Sequence, residues 1–303
     1  MSQDTDHPRD FSAEFAHLVG HFIFWFTIVL VTVRCGRRWW LLFQGMMTLG
    51  LALVSLISPH YSFNYVMKSL IGELDDYHNF TIRVFSVLYL IYGLMVLYCL
   101  ISSDNRAVSA LMEGLCVAYA LEIVCHLILL MRKPTGKPVH YPERGIPFFL
   151  SMMLGNFFHL NVGQTGYNDS KANQPTNINA RFDALALSII GASVYAFTED
   201  ILTLVTNKTD FDTGHIGALA VASSYILCGA VISLQVDVFT QETRRNLYLC
   251  RIFESICCIA LILYYVFFHD VLTMTSLWAV LIYGVLAGNA LVAINKLPIK
   301  RKD

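Results

Sequence analysis

The chain has 303 residues, of which 56% are hydrophobic and 14% charged; its formal net charge is −1 and its mean hydropathy is +0.55. That balance leaves no basic surplus to hold a nucleic acid, and it fits one integral membrane domain better than two soluble ones. Eight cysteines would suggest a disulfide scaffold in a small secreted protein. Here all but Cys35 lie in or beside apolar runs, so they read as small buried hydrophobes with no metal-binding pair.

Taken in order, residues 1–14 form an acidic tail without the basic start of a secretory leader, so the first apolar run, 15–33, is expected to stay as a membrane helix. A basic turn (Arg34, Arg37, Arg38) leads to a second run, 39–58, which opens on Trp39-Trp40 and ends at Ser58-Pro59. A polar loop with Glu73, Asp75 and Asp76 precedes the glycosylation sequon Asn79-Phe80-Thr81. Runs follow at 84–102 and 107–131, then a basic Pro-containing loop, and a weaker run, 146–162, interrupted by Asn156 and His159. After a polar loop, 163–180, come four more runs, 182–206, 215–238, 247–268 and 271–295, and a basic tail, 296–303. Each run has about the 17–25 residues that a bilayer crossing needs.

A repeat is legible in outline. Glu113-Gly114-Leu115-Cys116 returns as Glu254-Ser255-Ile256-Cys257, Gly50 returns as Gly191 at the same spacing, and Gly93 matches Gly229 after a short gap. The polar turns at 102–106 and 240–245 hold similar places. The expected fold is therefore all-α, a polytopic transmembrane bundle of about nine spans. One added helix precedes two four-helix units, 39–162 and 181–295. If 146–162 does not cross, there are eight spans and the halves are inverted. The distribution of Lys and Arg favours eight, whereas the matched order of helices and turns favours nine, which is the reading adopted. In the nine-span arrangement the tail is cytosolic, Asn79 and Asn207 (Asn207-Lys208-Thr209) face the lumen as candidate glycosylation sites, and Asn168 does not.

Trp40, Gly50, Pro59, Arg83, Arg106 and Glu113-Gly114 occur in an order that resembles the four-span tumour protein p53-inducible protein eleven family. Gly191, Arg244-Arg245 and Glu254-Ser255 repeat part of it, without the tryptophan and the proline. The resemblance implies a non-enzymatic membrane protein associated with stress response, apoptosis, and adhesion or migration. Nine spans depart from that family's single unit.

Ionisable residues inside apolar runs are costly and usually face a bundle interior. Glu122 and His126 are four apart on one helical face and could share a proton, though two donors are too few for a metal site. Arg251 and Glu254, three apart, suit an intrahelical ion pair, and Glu113 and Glu254 belong to the repeated framework. His17 and His21 suit hydrated interfacial positions. No zinc-protease, nucleophile-elbow, P-loop or dinucleotide pattern occurs, so no catalytic residue, metal or cofactor is expected. Gly284 and Gly288 form a GxxxG that lets another helix approach, within the bundle or from a partner or second copy, the lipid bilayer being the other partner. The final Lys300-Arg301-Lys302-Asp303 approximates an endoplasmic-reticulum retrieval signal. The function expected is non-enzymatic, exerted through partners or bundle structure in an endomembrane. The alternative is a small-solute or proton-coupled transporter using the intramembrane carboxylates.

Overall fold

The computed structural model describes residues 11–34, 36–60, 75–101, 104–131, 142–162 and 177–297. The loop sequon at Asn168 and residues 298–303 of the basic tail lie outside the described residues. Among the described residues there are ten α-helices: α1 (Phe11–Arg34), α2 (Arg37–Ile57), α3 (Asp76–Ile101), α4 (Asn105–Met131), α5 (Pro142–Val162), α6 (Ile178–Ala196), α7 (Thr198–Val205), α8 (Thr213–Leu234), α9 (Gln241–Phe267) and α10 (Leu277–Lys296). Among the described residues there is no strand, only an isolated bridge between Thr206 and Leu272.

Caps, more than apolar composition, decide where these helices begin. Asp75 accepts from the His78 N–H at 2.9 Å, and Asp104 from the Arg106 and Ala107 N–H groups, each at 3.2 Å. Asn177 caps α6 through the Ala180 N–H, Asp212 caps α8 through Gly214 and His215, and Thr240 caps α9 through Thr243. Each bond satisfies an amide that the helix cannot, for about 1 kcal/mol. As a result α3 starts at Asp76 rather than 84, and α9 at Gln241 rather than 247.

The run expected at 182–206 is not one helix. It breaks at Phe197, and α6 and α7 diverge by 95°. The Thr198 hydroxyl donates back to the Val194 and Tyr195 carbonyls, which competes with the helical ladder. Glu199 and Asp200 then favour the start of a new helix. Among the described residues, six helices are individually long and apolar enough to cross a membrane: α2, α3, α4, α8, α9, and α10 with the turn before it.

Contacts between caps fix the directions of the helices. The starts of α3 and α8 meet through His78 and His215, whose rings are 3.6 Å apart, at what we call the histidine end. The starts of α4 and α9 meet at the opposite end, where Asp104 accepts from the Thr240 N–H at 2.7 Å. This arginine end also carries Arg37, Arg181, Arg244 and Lys296. α5 runs antiparallel to α4 along its whole length. Its early Phe149 packs on the late His126, and its late Asn156 bonds Trp40 and Gln44 at the start of α2. The segment at 146–162 therefore traverses the bundle from the histidine end to the arginine end.

Packing partners recur in the two halves. α2 lies on α3 as α6 lies on α8, and α4 on α5 as α9 on α10, while α4 also crosses to α8 and α3 to α9. Close approach needs glycine in each half, on different helices: Leu49 of α2 seats against Gly93 of α3, and Leu227 of α8 seats against Gly191 of α6. Tyr89, Tyr92 and Tyr225 stack at the centre, with Tyr225 4.4 and 5.3 Å from the other two rings. In contrast, α10 leaves Trp278, Leu281 and Val285 exposed.

Candidate functional site: an Asp–His quartet between two helix starts

The same four-residue arrangement stands at the start of α3 (Asp75-Asp76-Tyr77-His78) and of α8 (Asp212-Thr213-Gly214-His215). In each, the aspartate caps the helix and holds the Nδ1 of the histidine three residues on at 2.8 Å, which fixes the ring's orientation. Each histidine then reaches across to the other aspartate. His78 Nε2 lies 3.0 Å from Asp212 Oδ2, and His215 Nε2 lies 3.1 Å from Asp75 Oδ1. Both imidazoles are buried, and Lys208 closes the outer side through Nζ to Asp75 Oδ2 at 2.6 Å.

Burial raises the Asp75 carboxyl, but hydrogen bonds from His215, His78 and Lys208 overcome it and hold the group well below the usual carboxylate range. Asp212 follows the same pattern: burial pushes it up, and bonds from His215 and His78 pull it well down. Both carboxylates therefore only accept. Four ring nitrogens face them, yet two neutral imidazoles have only two N–H groups. The other two contacts need extra protons or a cation.

The sequence-predicted residues lie elsewhere. Glu122 is fully buried; Ser224 Oγ of α8 lies 3.4 Å from its Oε1, and its Oε2 has no hydrogen-bond partner. His126 sits one turn away, but its Nδ1 contacts the Glu122 backbone carbonyl at 2.7 Å, not the carboxylate. Glu113 takes a hydrogen bond from Gln235 at 2.6 Å, outside the Glu122 site. Arg251 and Glu254 do form the expected pair at 2.7 Å, fully buried, and Asp183 of α6 joins them 3.4 Å from Arg251 Nε. Ser233 donates to Asp183 at 2.6 Å. The Glu113–Glu254 echo does not mark equal depth: Glu113 is the ninth residue of α4, and Glu254 the fourteenth of α9. Asn207 is exposed beyond α7, whereas Asn79 is half-buried in the first turn of α3, with its sequon hydroxyl at Thr81 buried and donating to the Tyr77 and His78 carbonyls. A Cβ on Gly284 or Gly288 would meet nothing within 4 Å, so that motif faces outward.

The quartet had a signal in the sequence, the doubled Asp-x-x-His just before an apolar run. The spacing of the two copies, 75 to 212, differs from that of the glutamate echo, 113 to 254, and Asp75 looks like one of several acids in a polar loop.

No curated protein and no solved structure matches the chain. A sequence-family profile described as a domain of unknown function (DUF8292) matches residues 42–295, α2 to the end of α10, and the chain belongs to that family.

Proposed function

We propose that this is an integral protein of an endomembrane that crosses the bilayer nine times, with α1 preceding two parallel four-span units, α2–α5 and α6–α10, the bent pair α6–α7 counting as one span. Its role is non-catalytic and is exerted through the bundle and the partners it holds. The observation that carries this reading is a set of four polar contacts that join one unit to the other, beside the clusters each unit keeps within itself. Asp75 meets His215, Asp104 meets Thr240, Glu113 meets Gln235, and Glu122 meets Ser224. Polar contacts that close across packed helices specify register. The basic residues of the arginine end support a cytosolic location for it, and the traverse of α5 supports nine crossings. The outward apolar face of α10, with Gly284 and Gly288, suits lipid and a membrane partner. Asn207 is the better placed of the two glycosylation candidates.

The transport reading has two observations in its favour. Glu122 has an oxygen without a partner, and a cavity of about 370 Å³, lined by Cys125, Tyr195 and Glu199 among others, opens where α6 breaks into α7. Reconstitution in proteoliposomes separates the two. The structural reading expects no solute or proton flux above empty vesicles under an imposed gradient. Flux that is abolished by Glu122→Gln replaces it with transport. Single cysteines at the exposed positions Glu242 and Asp270 are expected to label from opposite sides, and labelling from one side overturns the crossing pattern.

A further inference from the structure

We propose that the Asp–His quartet is a binding site for one divalent transition-metal ion of the zinc class, coordinated by Asp75, His78 and His215. Ligand atoms from these three residues all lie within 4.8 Å of one another. His78 Nδ1 and His215 Nε2 converge on the same oxygen, Asp75 Oδ1, at 2.8 and 3.1 Å. Donors about 2.0–2.2 Å from a zinc ion stand roughly this far from each other, so small side-chain shifts admit the ion.

The remaining nitrogens explain why Asp75 and not Asp212 is the ligand. With Nδ1 of His78 and Nε2 of His215 on the metal, each ring is neutral and keeps one N–H. Both N–H groups point at Asp212: His215 Nδ1 at 2.8 Å and His78 Nε2 at 3.0 Å. That is the outer carboxylate that orients metal-bound imidazoles and fixes their tautomers. Asp212 Oδ1 is already engaged by the Gly214 and His215 amides, whereas Asp75 Oδ1 takes one backbone amide and Asp75 Oδ2 is held by Lys208. The ion also removes the conflict that two neutral imidazoles leave, a nitrogen lone pair aimed at a carboxylate oxygen. Two imidazole nitrogens and a carboxylate suit zinc rather than calcium or magnesium, and three protein donors leave the fourth tetrahedral position to water. Because the ligands come from α3 and α8, the ion would clamp the two halves together at the histidine end, whatever the number of membrane crossings.

The experiment uses the full chain in detergent, stripped with chelator, equilibrated at fixed free Zn²⁺ against a chromophoric chelator, and assayed for metal per chain. One zinc per chain is expected. Asp212→Asn weakens binding about 10–100-fold, and His78→Ala and His215→Ala each abolish it at the same free zinc. To separate lost binding from lost folding, His215→Cys is loaded with Co²⁺ as well: a thiolate-to-cobalt charge-transfer band is expected. Three results overturn the proposal: no stoichiometric zinc on the wild type, which would leave the quartet held by protons alone; zinc unchanged in the doubly alanine-substituted chain; or a monodisperse His215→Cys protein without the band.

Discussion

The two halves of this bundle share their ends and differ in their middles. At the histidine end both α3 and α8 begin with a capping aspartate and a histidine three residues later, and at the other end the capped starts of α4 and α9 touch. Halfway along, the second half buries an ionic cluster of Arg251, Glu254 and Asp183. The helix starts place Leu115 and Ala118 of α4 opposite Arg251 and Glu254 of α9. The first half has instead the lone Glu122, where α9 has Cys258, and a tryptophan-centred contact between α2 and α5. Caps serve any helix pair that meets end to end, so both halves keep them. Interior charges are costly unless partners are in place, and the halves meet that cost differently: the second surrounds Arg251 with two carboxylates, whereas the first leaves Glu122 with a single hydroxyl contact.

The largest effect should come from breaking the charged middle of the second half. Arg251→Ala leaves the Glu254 and Asp183 carboxylates buried without their cation, which should cost about 3–5 kcal/mol and lower the unfolding midpoint of the detergent-solubilised protein accordingly. Gly229 is bound to the same cluster, because a Cβ there would collide with the Arg251 guanidinium and approach the Tyr92 hydroxyl. A loss from Arg251→Ala below about 1 kcal/mol would mean that the carboxylates find other partners, and the two middles would then be alike in energy if not in chemistry.

The matching test in the first half is steric. Trp40 is fully buried, donates Nε1–H to Asn156 Oδ1 at 2.8 Å, and sets the six-membered ring of its indole against Gly155 of α5. A Cβ at Gly155 would enter the indole's van der Waals surface, and an indole fixed by its own hydrogen bond cannot swing aside. Gly155→Ala should cost about 1–3 kcal/mol, as overpacking does, in the same unfolding assay. If α5 were only loosely applied to the bundle, the substitution would be silent.

Much of this architecture was legible in the sequence, and the exceptions have physical causes. Apolar runs located the long helices because length and composition are local properties. The early starts of α3 and α9 were hidden because a cap draws charged and polar residues, such as His78 and Arg244, into a helix that hydropathy alone would exclude. The break at Phe197 is accompanied by the Thr198 hydroxyl turning back on its own helix, a bond that Ser86 makes inside the unbroken α3, so Thr198 in an apolar run carries no mark of a break. The Arg251–Glu254 pair could be read from its spacing, yet Asp183 comes from another helix and could not. The quartet was missed for the same reason: each Asp-x-x-His is a local capping pattern, and only the approach of α3 to α8 makes the two into one cluster.

The shared ends are cheaper to disturb than the Arg251 cluster or the Trp40–Gly155 contact. Asp104→Ala removes the cap of α4 and the acceptor of the Thr240 amide together. A lost cap is worth about 0.5–2 kcal/mol, and the exposed surroundings of Asn105 let water replace part of it. The unfolding midpoint should therefore fall less than with Gly155→Ala, and hydrogen exchange should quicken at the first turns of both α4 and α9. Faster exchange at α4 alone would show that the two starts touch without supporting each other.

Glu122→Gln should change stability least, by under about 1 kcal/mol. The side chain is buried as deeply as Arg251, so depth alone would forecast a large loss. What separates the two is the number of partners that a substitution orphans. Removing Arg251 strands two carboxylates. Glutamine at 122 keeps the volume of glutamate and an acceptor oxygen for the Ser224 hydroxyl, and among the described residues no ion pair reaches this carboxyl. Its amide nitrogen would take the place of an oxygen that makes no hydrogen bond. A loss of several kcal/mol would reveal a buried positive partner for Glu122 and bring the first half's middle into line with the second's, whereas a neutral result leaves Glu122 as an interior carboxyl that stability does not require, the kind of group a transport function would spare.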